Sequence, residues 1–395
     1  MVVVVGGSGT GKTMSITEPR LLETHNSSMI VTVTKRRIVE KYKGVFRRRG
    51  YVVKDLNFIN PEASTVAYDP LQLVGSYEDI TFVASSIVKA NPRKDKTTAD
   101  PYWDDAAISL HCAEIAYTIL TNPDPSYVDV LDLHDRMDFE ECGGQIVTSL
   151  DDEFERLEKI DPKCFAVSCW KTFRKLPVKT ASCVYSTLNT VLDTIFTPDL
   201  RKMIAMPRKV DFESLASRKT VLFVSTSAVN PALHCFVNIF YAQAFKTLFE
   251  YAESRPDGKL PIPVNVLCDD FATGCRVLNF PEYISIFREK GISVTLLIQS
   301  ESQLESIYGS YDSTTILNNA DSYIFLGGLD LQTGRSISER LNLPLEDVLY
   351  MPIGQEFIIR RGQKPITTTR YDIRSNPEYQ AITQEYEARI AAQGR

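Results

Sequence analysis

Eight residues near the start of the chain, Gly6-Gly7-Ser8-Gly9-Thr10-Gly11-Lys12-Thr13, follow the pattern glycine, any four residues, then Gly-Lys-Thr. Such a pattern holds polyphosphate. Glycines let the backbone curl until successive N–H groups converge on phosphate oxygens. Lys12 reaches the β- and γ-phosphates, and the Thr13 hydroxyl suits Mg²⁺. The motif needs a strand before it and a helix after it. Val2-Val3-Val4-Val5 reads as a buried parallel strand, and Met14 to Thr24 is compatible with a helix whose positive end faces the anion. Without those flanks the residues would be a glycine-rich turn with a chance lysine.

A second group of reactive side chains lies far along the chain. Val264-Asn265-Val266-Leu267-Cys268 predicts a strand that ends in Asp269-Asp270. An aspartate at a strand's carboxyl end can hold the magnesium shell, and the next acid can orient and deprotonate an attacking water. Ligand sites of open parallel sheets lie at carboxyl ends, so Asp269 and the Gly6 loop should converge. The following strand, Ser293 to Ile298, ends at Gln299. If that strand runs between the other two, the Gln299 amide can touch the γ-phosphate or the water. A strand-capping glutamine is the plain alternative. Arg288, in Phe287-Arg288-Glu289-Lys290-Gly291-Ile292, reads by itself as a surface-helix arginine. A guanidinium there could also reach a neighbouring subunit's nucleotide.

The elements that must position these groups alternate. Strands at 29–33 and 51–53, helices at 38–49 and 77–90, and a break at Asp69-Pro70-Leu71 mark a parallel sheet covered on both faces. Strand signals fade after Asn91-Pro92, and helical spacing takes over at 106–120, 143–160 and 182–196. Trp103 and Trp170 fall in this stretch and are expected in its core. The parallel pattern resumes at 220–224, with helices at 231–253 and 281–290 and a strand at 321–326. A hairpin at 356–359 and 366–369 closes it, and a polar helix at 377–392 is expected to be mobile. The expectation is an α/β nucleotide-binding domain of residues 1–90 and 207–395, with a mainly parallel sheet flanked by helices, interrupted by an all-α insertion at 91–206.

Composition narrows the class. The chain has 395 residues, 44% hydrophobic and 24% charged, as in a soluble globular protein with room for two domains. A net charge of −6 argues against a protein coated in basic surface for nucleic acid, though a local basic lining would suffice for DNA in a ring's lumen. Lys35-Arg36-Arg37, Arg47-Arg48-Arg49 and Arg93-Lys94 with Lys96 read as solvated surface. Eight cysteines without a Cys-x-x-Cys pair suggest reduced thiols and no zinc site. The four histidines form no metal-binding array and are expected to be packed or superficial. No apolar run is long enough to cross a bilayer, and no signal peptide is evident. The chain opens almost on its first core strand, as if the fold began there or a preceding segment were missing.

The chain resembles the type IV secretion coupling proteins, the TraG/TraD-like ATPases of conjugative DNA transfer. The resemblance rests on Gly6 to Thr13, Asn60-Pro61 with Asp69-Pro70-Leu71, and Asp100-Pro101-Tyr102-Trp103. It continues through Cys268-Asp269-Asp270-Phe271, Phe287 to Ile292, Ile298-Gln299-Ser300 with Ser302-Gln303-Leu304, Asn318-Asn319-Ala320-Asp321 and Phe325-Leu326-Gly327. It implies a RecA-like motor with an all-α insertion facing the cytosol and the relaxosome. It implies ATP and Mg²⁺ as cofactors and hydrolysis between subunits of a homo-hexamer. The partners implied are single-stranded DNA with its relaxase, and the channel ATPases and inner-membrane components of the secretion system. The place of action implied is the cytoplasmic face of the bacterial plasma membrane. By the same resemblance Lys12 and Thr13 bind phosphate and magnesium, Asp269 is the Walker B acid and Arg288 the arginine finger. Two departures stand out. Members usually carry Asp-Glu where this chain has Asp269-Asp270, and usually have transmembrane helices ahead of the phosphate loop. The rival readings are a duplex DNA pump of the FtsK/HerA type and a nucleotide-gated adaptor with little turnover.

Overall fold

Near-continuous apolar strands are stable only when both faces are covered, and such strands form the middle of a nine-stranded sheet here. The computed structural model describes residues 1–89, 101–143, 145–227, 230–271 and 276–393. The Arg93-Lys94-Lys96 cluster, Asp100, Cys275 and the 90/91 boundary lie outside them. In chain order the strands are β1 (Val2–Val5), β2 (Ser28–Val33), β3 (Val52–Asn57), β4 (Phe139–Cys142), β5 (Gln145–Thr148), β6 (Thr220–Ser225), β7 (Val264–Cys268), β8 (Ile292–Ile298), β9 (Ser322–Phe325), β10 (Gln355–Arg360) and β11 (Ile366–Thr369). The sheet runs β11-β10-β9-β1-β8-β7-β2-β6-β3, parallel from β3 to β9 and antiparallel across β10 and β11. This is the RecA-like arrangement, with one strand between the strand before the glycine loop and the strand ending in Asp269.

Two compact units divide the chain. One comprises Met1–Ile59, Asp211–Val229 and Ala244–Arg395; the other comprises Asn60–Val210 and Asn230–Gln243. The first holds the whole sheet. Helix Arg36–Arg48 presents Ile38, Val39, Tyr42, Val45 and Phe46 to the core and packs with Val31, Val33 and Phe223 of the strands. Each such fully buried side chain contributes about 1.5–3 kcal/mol. Lys35, Arg37 and Arg47 are exposed, while three arginines of the two described basic clusters are paired. Arg36 forks onto Asp55 at 2.7 Å, while Arg48 and Arg49 pair with Glu385 at 2.9 Å and Glu378 at 2.6 Å.

Those last two acids belong to helix Pro377–Gln393, which docks on the first unit along one stripe. Tyr379 and Ile382, one turn apart, are buried in the core cluster, and Lys41 lies 3.5 Å from the Tyr379 ring centre. Only a narrow apolar stripe does this, so the helix reads as polar from its sequence.

The second unit is helical apart from one hairpin. A helix is expected from 143, but Gly143 turns (φ 59°) and Gln145–Thr148 pairs as β5 with β4. Ile146-Val147-Thr148 is β-branched and favours the extended form. The helix starts only at Asp151, whose carboxylate accepts from the Thr148 N–H and hydroxyl, both at 2.8 Å. Trp170 is core, stacked on Phe154 at 4.1 Å; Trp103 is half-buried. The six cysteines whose side chains are described form no disulfide.

His111 and His134 are packed around Glu114, which is fully buried. The His111 and His134 Nδ1 atoms donate to its two oxygens at 2.9 and 2.7 Å. Burial alone would push the Glu114 carboxyl up. The charge on His134 and the bonds from both rings outweigh it and hold the group at about 2. Glu114→Ala, by stranding two buried imidazoles, is expected to cost this unit about 3–5 kcal/mol, read by chemical denaturation. A loss below 1 kcal/mol would show that the cluster is not structural.

Candidate functional site

The glycine loop grows straight out of β1. Gly6 N–H donates to Ile298 O at 3.1 Å and Gly7 N–H to Gly327 O at 3.0 Å, so the loop starts pinned between the ends of β8 and β9. Gly6 has no room for a side chain: a Cβ there would stand 2.5 Å from Thr10 Oγ1 and 3.0 Å from Leu326 Cβ. Gly9 and Gly11 have φ of 78° and 85°, the left-handed region that only glycine enters without strain. Thr10 closes the turn, its hydroxyl donating to Gly7 O at 2.9 Å. Ser8 and Gly9 are exposed at the tip. Thr13 then opens a π-helical turn, Thr13–Thr17, that continues as an α-helix to Glu23.

Lys12 folds back over this turn, its ammonium donating to Gly6 O at 2.5 Å and Gly7 O at 3.3 Å. Burial lowers its pKa, and the charges of Asp270 and Asp269 oppose that shift. The two acids therefore share the electrostatic neighbourhood of the loop. The register agrees: Val5 pairs with Ile298, and Cys268 with Leu296 on the other side of β8. One strand thus separates the carboxyl ends of β1 and β7, a spacing of about 10 Å that a lysine and a metal-bound phosphate can bridge. Asp269 is 8% exposed. Burial, then the charge of Asp270, pushes its carboxyl up to about 6. Asp270 adopts φ 53°, a left-handed conformation costing about 1 kcal/mol at a non-glycine residue. That turn lets Phe271 N–H donate back to Leu297 O at 2.9 Å and leaves both carboxyls at the sheet's end.

Gln299 follows β8, which does lie between β1 and β7, and is exposed at the same end. Its N–H donates to Gln303 Oε1 at 3.3 Å. The hydroxyl of Ser300 caps helix Glu301–Asn318, accepting from Gln303 N–H at 3.1 Å, and Ser302 Oγ donates to Asp330 at 2.5 Å. The Gln-Ser-x-Ser-Gln segment is thus a harness for the end of β8. Arg288 is not brought to this end. It precedes β8, whose seven residues span about 20 Å, and pairs with Asp321 at 3.2 Å with most of its side chain exposed.

Two contributors were given no role from sequence, although Gly327 stands in a segment that carries the resemblance. Gly327, after β9, accepts from the loop. Arg370, after β11, donates to Thr10 O and Leu326 O. Nothing local marks a single arginine after three threonines.

The family model for type IV secretory system conjugative DNA transfer matches residues 1–342. No curated protein sequence matches the chain. Among solved structures, the bacterial conjugative coupling protein TrwBdeltaN70 in complex with sulphate superposes with a TM-score of 0.70 at 17% identity, covering 94% of this chain and 85% of that one. The plasmid coupling protein TrwB in complex with ADP and Mg²⁺ gives 0.69 at 18% identity with the same coverage. VirB4 of Thermoanaerobacter pseudethanolicus gives 0.57 at 12%, covering 96% and 90%. At these identities the superpositions speak for the fold. The family match spans the glycine loop, Asp269, Gln299 and Arg288 in a single run, and this chain belongs to the type IV secretory system conjugative DNA transfer family, whose members are the coupling proteins of conjugation.

Proposed function

We propose that this chain binds ATP with Mg²⁺ and hydrolyses it to drive or license passage of single-stranded DNA and its relaxase into a type IV secretion channel. The observation that carries this reading is the meeting of Lys12, Thr13, Asp269, Asp270 and Gln299 at one end of the sheet in a member of a conjugative transfer family. The loop fits a triphosphate: Gly6 leaves no space for a side chain, and Lys12 is a partly buried cation facing two acids. Among the described residues no cluster of His, Cys, Asp and Glu could hold a metal by itself. That suits Mg²⁺, which is usually held by one or two protein oxygens together with phosphates. Thr13 and Asp269 would supply those oxygens. Bound there, the ion neutralises phosphate charge. Asp270 would take the proton of the attacking water, and Gln299 would orient that water.

Arg288 stands about a strand length from its own loop, so any nucleotide it served would be a neighbour's. Such a role would require a ring, a homo-hexamer in our reading, with ATP between subunits. The second compact unit would face the relaxosome. No helix among the described residues is long and apolar enough to cross a membrane, so attachment at the cytoplasmic face would come through other components or segments. Asp270, one methylene shorter than the usual glutamate, favours slow turnover and keeps the nucleotide-gated adaptor in play.

Mixing decides the ring. Mixing inactive Arg288→Ala subunits with inactive Lys12→Ala subunits is expected to restore phosphate release to about a quarter of wild type at equal amounts, because the arginine of one completes the loop of the other. No recovery on mixing would refute the finger. Phosphate release that stays at background with and without single-stranded DNA would favour the adaptor, and binding of relaxase separates a coupling protein from a duplex pump.

A further inference from the structure

The guanidinium of Arg370 has an unusual set of partners. Its Nη1 donates to Thr10 O of the glycine loop and its Nη2 to Leu326 O at the end of β9. Its Nε donates to Gln355 O of β10 at 2.9 Å, and its own N–H donates to Gly354 O at 2.8 Å. The side chain is half-buried. All three acceptors are carbonyls, and among the described residues Arg370 makes no ion pair; Glu356 acts on it only through space. Gly11 and Gly327 border the guanidinium at ordinary van der Waals distance. Burial lowers the pKa of Arg370, which is the cost of holding a cation without a carboxylate.

A merely structural arginine at a hairpin would gain from an acid beside it. This one spends its planar fork tying two segments, the end of β9 and β10, to Thr10 of the glycine loop, and among the described residues no carboxylate pairs with it there. We propose that Arg370 is a positioning residue for the phosphate loop: it clamps Thr10 in the anion-ready turn and lends the bound phosphates its charge. The proposal rests on the ATP-site reading above. Because the fork comes from β10–β11, the edge hairpin becomes part of the nucleotide site although it lies 360 residues from Thr10 in sequence.

The test compares Arg370→Gln, Arg370→Lys and Lys12→Ala in the full chain. Readouts are the dissociation constant for Mg·ATP, KM against kcat, and thermal melting. Arg370→Gln removes the charge and is expected to weaken ATP binding about tenfold, with KM changing more than kcat. Arg370→Lys keeps the charge and one bond, so it should recover most of the lost affinity. A purely structural role would lower the melting temperature of both variants alike and leave affinity in place. Binding within twofold of wild type for Arg370→Gln, or no rescue by lysine, overturns the proposal. If Lys12→Ala also binds ATP normally, the site reading itself fails; if only Arg370→Gln does, the site stands and Arg370 is excluded from it.

Discussion

Lys12→Ala is expected to lower ATP hydrolysis by about 10³-fold, the largest effect of any single substitution. The reason is electrostatic. The Lys12 ammonium folds over the loop backbone, held by Gly6 O and Gly7 O and facing both acids. Its removal leaves Asp269 and Asp270 with less counter-charge, and it removes the group that would follow the γ-phosphate as charge develops there. The loss should appear in kcat and in affinity together, because both the bound triphosphate and its transition state are anionic. Steady-state phosphate release on protein with an unchanged melting curve is the measurement. Turnover within tenfold of wild type, with ATP bound normally, would remove the lysine from the site.

Asp269→Asn should move stability and activity in opposite directions. The carboxyl titrates near 6 in the folded protein and at 3.8 when unperturbed. Between those values the folded chain keeps a proton that the unfolded chain releases. Stability from this group therefore falls as pH rises through that window, and it stays lowered above pH 6, by about 3 kcal/mol at most. Asparagine has nearly the same shape and never ionises. In nucleotide-free protein with chelator present, Asp269→Asn is expected to melt several degrees higher at pH 7.5, roughly 2–4 °C per kcal/mol. The gain should vanish near pH 4. The same variant should lose magnesium-dependent ATP affinity and hydrolyse ATP at least about a hundredfold more slowly. A variant less stable than wild type at pH 7.5 would mean that the carboxylate is structurally paired rather than poised for a ligand.

These expectations bear on what a single sequence carries. The glycine loop was legible because every requirement is local: the strand, the turn and the helix all lie within about two dozen residues. Asp269 was legible because an apolar strand ending in an acid has few other uses beside such a loop, and the carboxyl-end rule then brings the two together. The position of β8 between β1 and β7 was an expectation from nucleotide-hydrolysing folds, and the register bears it out. What stayed hidden depends on distant contacts. Arg370 meets Thr10 across nearly the whole chain, and a triplet of threonines before it gives no sign of the loop it braces. The C-terminal helix reads as polar because Tyr379 and Ile382 form a stripe only one turn wide, yet Arg48, Arg49 and Lys41 complete its dock. The β4–β5 hairpin was lost under a general helical signal, although the β-branched residues 146–148 carried the local hint.

The most direct test of the account is a structure of this chain with Mg²⁺ and a non-hydrolysable ATP analogue. The account predicts the triphosphate inside the turn from Gly6 to Thr13, Lys12 on its terminal phosphates, and one metal ion touching the Thr13 hydroxyl and reaching Asp269 directly or through a single water. An analogue bound elsewhere, or a carboxylate at 269 that lies beyond one water of that metal, would contradict it.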